Sequence, residues 1–465
     1  MESQQTPNGT NIKKEITNST HVYDVVIIGA GISGLGAANH LKEQGYENVL
    51  VLESQDRVGG RISSQNLSDE VVVDLGASWI HGAGPGANEI PEWRNKLNPI
   101  YELANKLNIR TVKTQDDVYD SSQQKYYWYK GGEMPSDIFQ VVDKFRSYYE
   151  QHCKKANKKL SIQDLFSKFD FGPYQDDEKV KRFILVSDFE SEYDGDSSQL
   201  SASQIDNQSQ FDGEDRIFPL GYSQIPNALA QSIRINLNSK IKNIDYTRDI
   251  IDIQTTNNIL YKARKLIVTV PLAILAQKVI NFTPVLPAKK IQSINRLGQG
   301  LLDKLIIQFE EVFWDKNIDW LTYVSDAEQS DWAVSFNHHK YLSQPVITMF
   351  NTYNSAVKFS HLSDEELVSS ALVALNTMYP RAKVTREKIK GFKRSNWSNN
   401  EHAKMSYTFA KVGCTPADSE EIAKGVNNKV WFAGEHTCFD FLGTVNGAYI
   451  SGLKAAQNII QSLKA

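Results

Sequence analysis

The chain has 465 residues, 51 basic side chains against 55 acidic ones, and a formal charge of −4. That length predicts two domains sharing a large interface, and the near balance of charge excludes the basic footprint of a nucleic-acid binder. No apolar run reaches the length of a membrane span. The three cysteines, Cys153, Cys414 and Cys438, offer neither metal-ligand spacing nor a disulfide framework, so a reducing compartment, the cytoplasm, and no metal are expected.

Residues 1–20 are polar, lack the apolar centre of a signal peptide and are expected to form a disordered tail. The β-branched run 22–28 then reads as a buried parallel strand entering Gly29-Ala30-Gly31-Ile32-Ser33-Gly34. A helix over 35–44 and a second strand over 49–52 follow, ending on Glu53, 19 residues after Gly34. In this order Gly29 allows the tight turn, Gly31 lets the backbone approach a pyrophosphate, and Gly34 lets helix pack on strand. The helix N-terminus faces the phosphates, while Glu53 binds a ribose diol and disfavours a 2′-phosphate.

Arg57-Val58-Gly59-Gly60-Arg61 sets two glycines between two arginines. It reads either as backbone lying along a ligand with arginine on phosphate oxygens, or as a surface hairpin. A strand over 71–74 breaks into the small-residue turn 76–82, which carries Trp79 and His81.

Helices are expected over 100–107, 138–157 and 162–169, then a turn-rich acidic stretch with Asp188, Glu190, Glu192, Asp194 and Asp196. A β-rich block follows over 234–237, 241–246, 250–253 and 266–270, the last closed by Pro271, which cannot donate to a ladder. Further strands are expected over 301–309 and 346–351, and a helix over 364–378 with Ser363 as its N-cap. The C-terminal unit is a strand over 430–432, the segment Gly434-Glu435-His436-Thr437 and a helix over 448–463. It lies more than 400 positions from the first glycine turn; contact of both with one long cofactor would require the chain to fold back on itself.

The glycine turn with Glu53, the Gly59-Gly60-Arg61 triplet, the turn from Asp74 to Gly82, Thr269-Val270-Pro271-Leu272 and Phe432-Ala433-Gly434-Glu435-His436-Thr437 occur in the order of the flavin-dependent amine oxidases. After residue 21 the chain resembles that family throughout, most of all its polyamine oxidases. The resemblance implies a mixed α/β (α+β) fold, with a Rossmann-like FAD-binding domain interleaved with a substrate domain of mixed sheet and helices. Residues 21–98, 220–300 and 425–465 are assigned to the first domain, and 99–219 and 301–424 to the second.

By the same resemblance Glu53 holds the adenosine ribose, and Gly60 and Arg61 lie along the pyrophosphate. Ile241 contacts adenine through its backbone, Glu435 binds the ribityl or pyrophosphate region, and Val445 lies near the flavin ring. Ser406 falls near where monoamine oxidases attach flavin through cysteine, so non-covalent FAD is expected.

Residue pattern alone leaves Lys304 either on a solvated strand face with Leu302 and Ile306 or buried at a cost of several kcal/mol. The family places a catalytic lysine there, near flavin N5. A single histidine after a tryptophan is commonly structural, whereas the family match puts His81 in the substrate tunnel beside the reacting nitrogen. Tyr407 occupies one of two aromatic positions that face the substrate, and Thr444 stands at the other. Asp194 falls where some polyamine oxidases place an acid at the tunnel wall; a solvated loop is the alternative.

The implied reaction is oxidation of a secondary amine of spermine, spermidine or their acetylated forms. Hydride goes to the flavin, the imine is hydrolysed to amine and aldehyde, and dioxygen is reduced to hydrogen peroxide. The partners expected are thus a small polyamine and dioxygen, with no nucleic acid and no membrane. Two alternatives stay open: an L-amino-acid oxidase, which requires an arginine clamp such as Arg296 or Arg394, and a non-catalytic flavin-binding protein. A histone demethylase is disfavoured because no long helical-hairpin insertion is read in the sequence.

Overall fold

The apolar strand Val22–Ile28 is buried along nearly its whole length, the state of a parallel strand covered by helices on both faces. It pairs in parallel with Val49–Leu52 on one side and with Leu260–Val268 on the other. The computed structural model describes residues 2–5, 11–14, 21–86, 93, 95–114, 124–205, 208–327 and 329–464.

Leu260–Val268 begins well before the expected 266 and changes partner along its length. Its first half pairs antiparallel with Ile251–Thr255, and its second half pairs in parallel with Val430–Phe432. The C-terminal strand is thereby inserted into the sheet that the N-terminus begins. Ile235–Asn236, Ile241–Asp245 and Asn281–Thr283 complete eight strands.

A second, six-stranded sheet runs in the order Gln124–Trp128, Trp320–Val324, Val334–Asn337, Val346–Thr352, Leu302–Phe309, Ile389–Arg394. Its first pair is parallel and the rest antiparallel. The two sheets draw on alternating stretches of chain, which makes the fold a mixed α/β one with interleaved units.

Helices Ile32–Glu43 and Val445–Lys464 cross at glycines. A β-carbon on Gly36 would sit 2.8 Å from the Tyr449 ring, and one on Gly452 would sit 2.1 Å from the Ser33 carbonyl oxygen. This contact brings the two ends of the chain to one place. Asp364–Met378 starts with the expected Ser363, whose hydroxyl accepts the Glu366 N–H while the Glu366 carboxylate accepts the Ser363 N–H.

In the N-terminal stretch Glu2–Gln5 pairs antiparallel with Asn11–Lys14; the remainder of 1–20 lies outside the described residues. One expectation is corrected. The acidic stretch is helical rather than turn-rich. Val186–Glu190 forms a π-helical turn, Ser191–Tyr193 continues it, and Asp194 ends it in the left-handed region at φ 55°. Among the described residues no helix is long and apolar enough to cross a membrane.

Candidate active site

The first strand ends in Gly29, whose φ of +104° and closeness to Thr269 exclude a side chain: a β-carbon there would sit 2.5 Å from Thr269 Oγ1. Gly31 differs. A β-carbon on it would meet nothing nearer than the Gly59 carbonyl oxygen at 4.0 Å, so the space above it is open. The Gly59–Gly60 backbone faces it, Gly31 and Gly59 forming a parallel bridge. Helix Ile32–Glu43 starts at Gly31 without a side-chain cap, leaving its first-turn N–H groups for an anion.

Glu53 is buried at the end of the second strand. Its Oε2 accepts the Ala30 N–H at 2.7 Å and its Oε1 the Gln55 N–H at 2.9 Å. The Ser239 and Asn238 N–H groups donate to the carbonyls of Glu53 and Gln55 at 2.7 and 2.9 Å, which carries the chain along Glu53 to Ile241 at the head of Ile241–Asp245. His402 Nδ1 lies 3.0 Å from Ser54 Oγ, and Lys240 Nζ lies 2.5 Å from Glu401.

The two arginines part company. Arg57 turns inward and donates to the carbonyls of Val58, Gly60 and Ile62, stapling its own loop. Arg61 crosses to the C-terminal segment, donating to Glu435 Oε1 at 2.9 Å and to the Ser406 carbonyl at 2.7 Å. Glu435 also accepts from Thr408 Oγ1 and the Gly443 N–H. Beside it His436 is buried with neither ring nitrogen hydrogen-bonded. Burial, opposed by Glu435, lowers its pKa to about 4.

An open glycine floor, uncapped helical N–H groups, the buried acid Glu53 at the strand end and an orphaned buried imidazole together fit a long dinucleotide such as FAD. Val445 is half-buried at the start of the C-terminal helix. Ser406 supplies no thiol for a covalent link, and its hydroxyl accepts the Leu302 N–H.

Lys304 enters from the Leu302–Phe309 strand, opposite Phe350, and is 5% exposed; the solvated-face alternative is excluded. Its Nζ donates to the Gly76 carbonyl at 2.5 Å, Ser78 Oγ at 2.6 Å and the Asp74 carbonyl at 3.2 Å. Rings of Trp79 and Phe350 stand 5.7 and 5.8 Å from it. Burial lowers its pKa to about 8 against the pull of Asp74 and Asp194. The Asp74 carboxyl, itself buried, is raised to about 6 although Ser64 and the Tyr222 N–H donate to it.

Tyr407 donates its hydroxyl to the Glu192 carbonyl at 2.9 Å, while Asp194 accepts the Leu301 N–H on its own carbonyl at 3.0 Å. Asp194 is fully buried and neither carboxylate oxygen has a hydrogen-bond partner. Burial raises its pKa well above the usual carboxylate range, and the Tyr407 and Ser406 hydroxyls nearby oppose that shift without closing a bond. Thr444 is engaged locally, donating to the Phe441 carbonyl at 2.8 Å and accepting the Gly447 N–H at 3.0 Å.

His81 pairs with Asp215, Nδ1 to Oδ2 at 2.8 Å. Lys304, Asp194, Tyr407 and Glu192 therefore gather around one region, and the 76–82 turn ties it to His81. Sequence reasoning missed Asp74, Ser78 and Asp215, whose roles depend on contacts from distant segments. Trp79, stacked on Trp320 at 5.8 Å and edge-on to Phe336 at 5.1 Å, adds an aromatic wall. Arg296 pairs with Asp418, and Arg394 holds the carbonyls of Leu362 and Phe359, so both candidate clamps are committed elsewhere.

A dinucleotide cradle shared by both chain ends, beside a buried lysine on a mixed sheet, defines a two-lobed flavin-type oxidoreductase. Residues 32–460 match the family described as flavin containing amine oxidoreductase; the chain belongs to that family, is a flavin-dependent amine oxidoreductase and uses FAD. It is 28% identical over 463 residues to polyamine oxidase 3 of Oryza sativa subsp. japonica, covering 97% of this chain and 92% of that one. To polyamine oxidase 5 of the same plant it is 31% identical over 452 residues, covering 93% and 87%.

It is also 28% identical over 458 residues to human lysine-specific histone demethylase 2, covering 94% of this chain but 53% of that one. A redesigned putrescine oxidase superposes with a TM-score of 0.72 at 19% identity, covering 94% of this chain and 99% of that one, a likeness of fold.

Proposed function

We propose that the protein is a polyamine oxidase that binds FAD non-covalently in the cytoplasm and cuts a secondary amine of spermine, spermidine or an acetylated form. The observation that carries this reading is Asp194, a fully buried carboxylate with no hydrogen-bond partner, set beside Tyr407 and across from Lys304. A buried carboxylate without a partner is costly to ionise; a substrate ammonium would relieve that cost and leave a second nitrogen to reach the reacting position.

FAD, when bound, supplies the two-electron acceptor that converts the amine to an imine and is reoxidised by dioxygen to give hydrogen peroxide. Lys304, held by three oxygen acceptors, presents a fixed charge at the reacting end. Trp79, Trp320, Phe336 and Phe350 exclude water from one side. Tyr407, pinned through Glu192, orients the substrate's carbon chain. Water then hydrolyses the imine to an amine and an aldehyde.

The demethylase relatives support a second reading in which an N-methyl-lysine side chain is the amine. Both readings need a neutral amine nitrogen; they differ in whether a free polyamine suffices. The test is anaerobic mixing of the yellow protein with spermine, N-acetylspermine, spermidine, a monoamine, an L-amino acid and a methylated lysine peptide. Rapid bleaching by polyamines, much slowed in Lys304→Met, is expected. Bleaching by the peptide alone would move the assignment to the demethylases, and by the amino acid alone to the amino-acid oxidases.

A further inference from the structure

His81 is held by a residue that no motif announces. Arg216–Ile217 pairs antiparallel with Trp79–Ile80, and this register sets Asp215 beside the end of the turn. One Asp215 oxygen lies 2.8 Å from His81 Nδ1 and the other accepts the Gly82 N–H at 2.8 Å. A single carboxylate thus fixes the ring and the backbone behind it. Asn98 Nδ2 donates to the His81 carbonyl at 2.9 Å, and the Ala83 N–H to the Glu214 carbonyl at 2.9 Å. The His81 side chain is 65% exposed and that of Asp215 only 23%. The ring is therefore open on the side away from the carboxylate, and Nε2 is the nitrogen that Asp215 does not hold.

We propose that Asp215 is a positioning residue that holds His81 as an imidazolium with its Nε2–H turned into the cleft, so that an amine nitrogen docking there is bound as its free base. The proposal rests on the polyamine-oxidase reading for its substrate and on geometry for its clamp.

The charges that face His81 among the described residues are carboxylates. Asp215 touches it, Glu192 approaches from the helical turn 191–193, and Asp212 and Glu214 precede Asp215 in the chain. Glu214 is engaged with Arg216 at 2.6 Å and Lys113 at 4.0 Å. Loss of water where the ring packs on the protein works against the imidazolium, but Asp215, by charge and hydrogen bond, and then Glu192 outweigh it and raise the pKa to about 9.

A secondary aliphatic amine in water at neutral pH is an ammonium, which has no lone pair for the forming imine. A fixed cation within contact distance lowers the pKa of such a neighbour, and an N–H donor pairs with the unprotonated nitrogen alone. Lys304 presents a second cation below about pH 8. His81 and Lys304 thus both set positive charge at the reacting end. As the amine docks, its proton passes to bulk water and the pair on nitrogen is kept; nothing else changes in the balance.

Asp215→Asn tests this because the amide oxygen still accepts from Gly82 or the ring while the charge is gone. Histidine Cε1–H titration by NMR on the holoenzyme, with His81 assigned by its loss in His81→Gln, should give a pKa near 9 falling by about two units in Asp215→Asn. Asp215→Glu, which keeps the charge should the amide variant fold poorly, should leave it above about 8.

At saturating spermine the acid limb of the flavin-reduction rate should move up by about one pH unit in Asp215→Asn, with the plateau above it unchanged. A wild-type His81 that titrates near its ordinary value would overturn the proposal, as would an acid limb that stays in place after the titration has moved. A protein that shows the NMR shift but is bleached by no polyamine keeps the clamp and loses the substrate reading.

Discussion

The Arg61 guanidinium donates to Glu435 Oε1 at 2.9 Å across 374 positions of sequence, tying the loop after Glu53 to the segment before the last helix. Glu435 is 3% exposed, so removing its cation leaves a buried carboxylate with only the Thr408 and Gly443 donors. Arg61→Ala should cost about 3 kcal/mol in chemical denaturation and release FAD into the filtrate. Arg61→Lys, which keeps the charge but not the length and planar geometry with which one guanidinium nitrogen reaches both Glu435 and the Ser406 carbonyl, should fall between the two.

Gly31 and Gly34 should separate cofactor binding from folding. A methyl on Gly31 enters open space, so Gly31→Ala should melt like the FAD-free wild type yet fail to take up FAD. A methyl on Gly34 would lie 2.0 Å from the Gly29 carbonyl oxygen; Gly34→Ala should destabilise even the FAD-free protein, by about 2 kcal/mol. Equal melting temperatures for the two variants without FAD would contradict this division.

The glycine turn and its acid were legible because the whole unit is local: strand, turn, helix and second strand lie within the 32 residues from 22 to 53. Lys304 was legible only as a lysine in an apolar strand. Its burial depends on carbonyls from the Asp74–Gly76 turn, 228 and 230 positions away, which no periodicity records. The acidic stretch read as a solvated loop because its cations lie outside it: Arg146, from a separate helix, forks onto Asp188, and Arg182, on the same helical run, forks onto Glu190 eight positions later. The strands Trp320–Val324 and Val334–Asn337 were missed for the opposite reason, being short runs buried on both faces with no alternation to mark them.

Beside the glycine turn, the Ser54 hydroxyl stands between Glu53 Oε1, to which it donates at 3.2 Å, and His402 Nδ1 at 3.0 Å. Glu401, next to His402, is held by Lys240. The loop around residue 400 is thereby linked through Ser54 to Glu53, the acid proposed to hold the cofactor's ribose. One such hydrogen bond is worth about 1 kcal/mol, so His402→Ala should release FAD roughly fivefold faster in a fluorescence dequenching assay. An unchanged rate would mean that the loop leaves the cofactor path open.

Lys304 gives a pH signature with a definite sign. Its folded pKa of about 8 lies below the 10.5 of an unburied lysine. Between those values the unfolded chain holds a proton that the folded chain has released, so this group makes stability rise with pH across about 8 to 10.5 and contributes no slope below that window. Denaturation midpoints at pH 7, 8.5 and 10 should therefore show wild type gaining on Lys304→Met as pH increases. The same titration should appear in flavin reduction as a limb near pH 8 that is present in wild type and missing in Lys304→Met. Its persistence in the variant would assign the limb to another group, with His81 the first to examine.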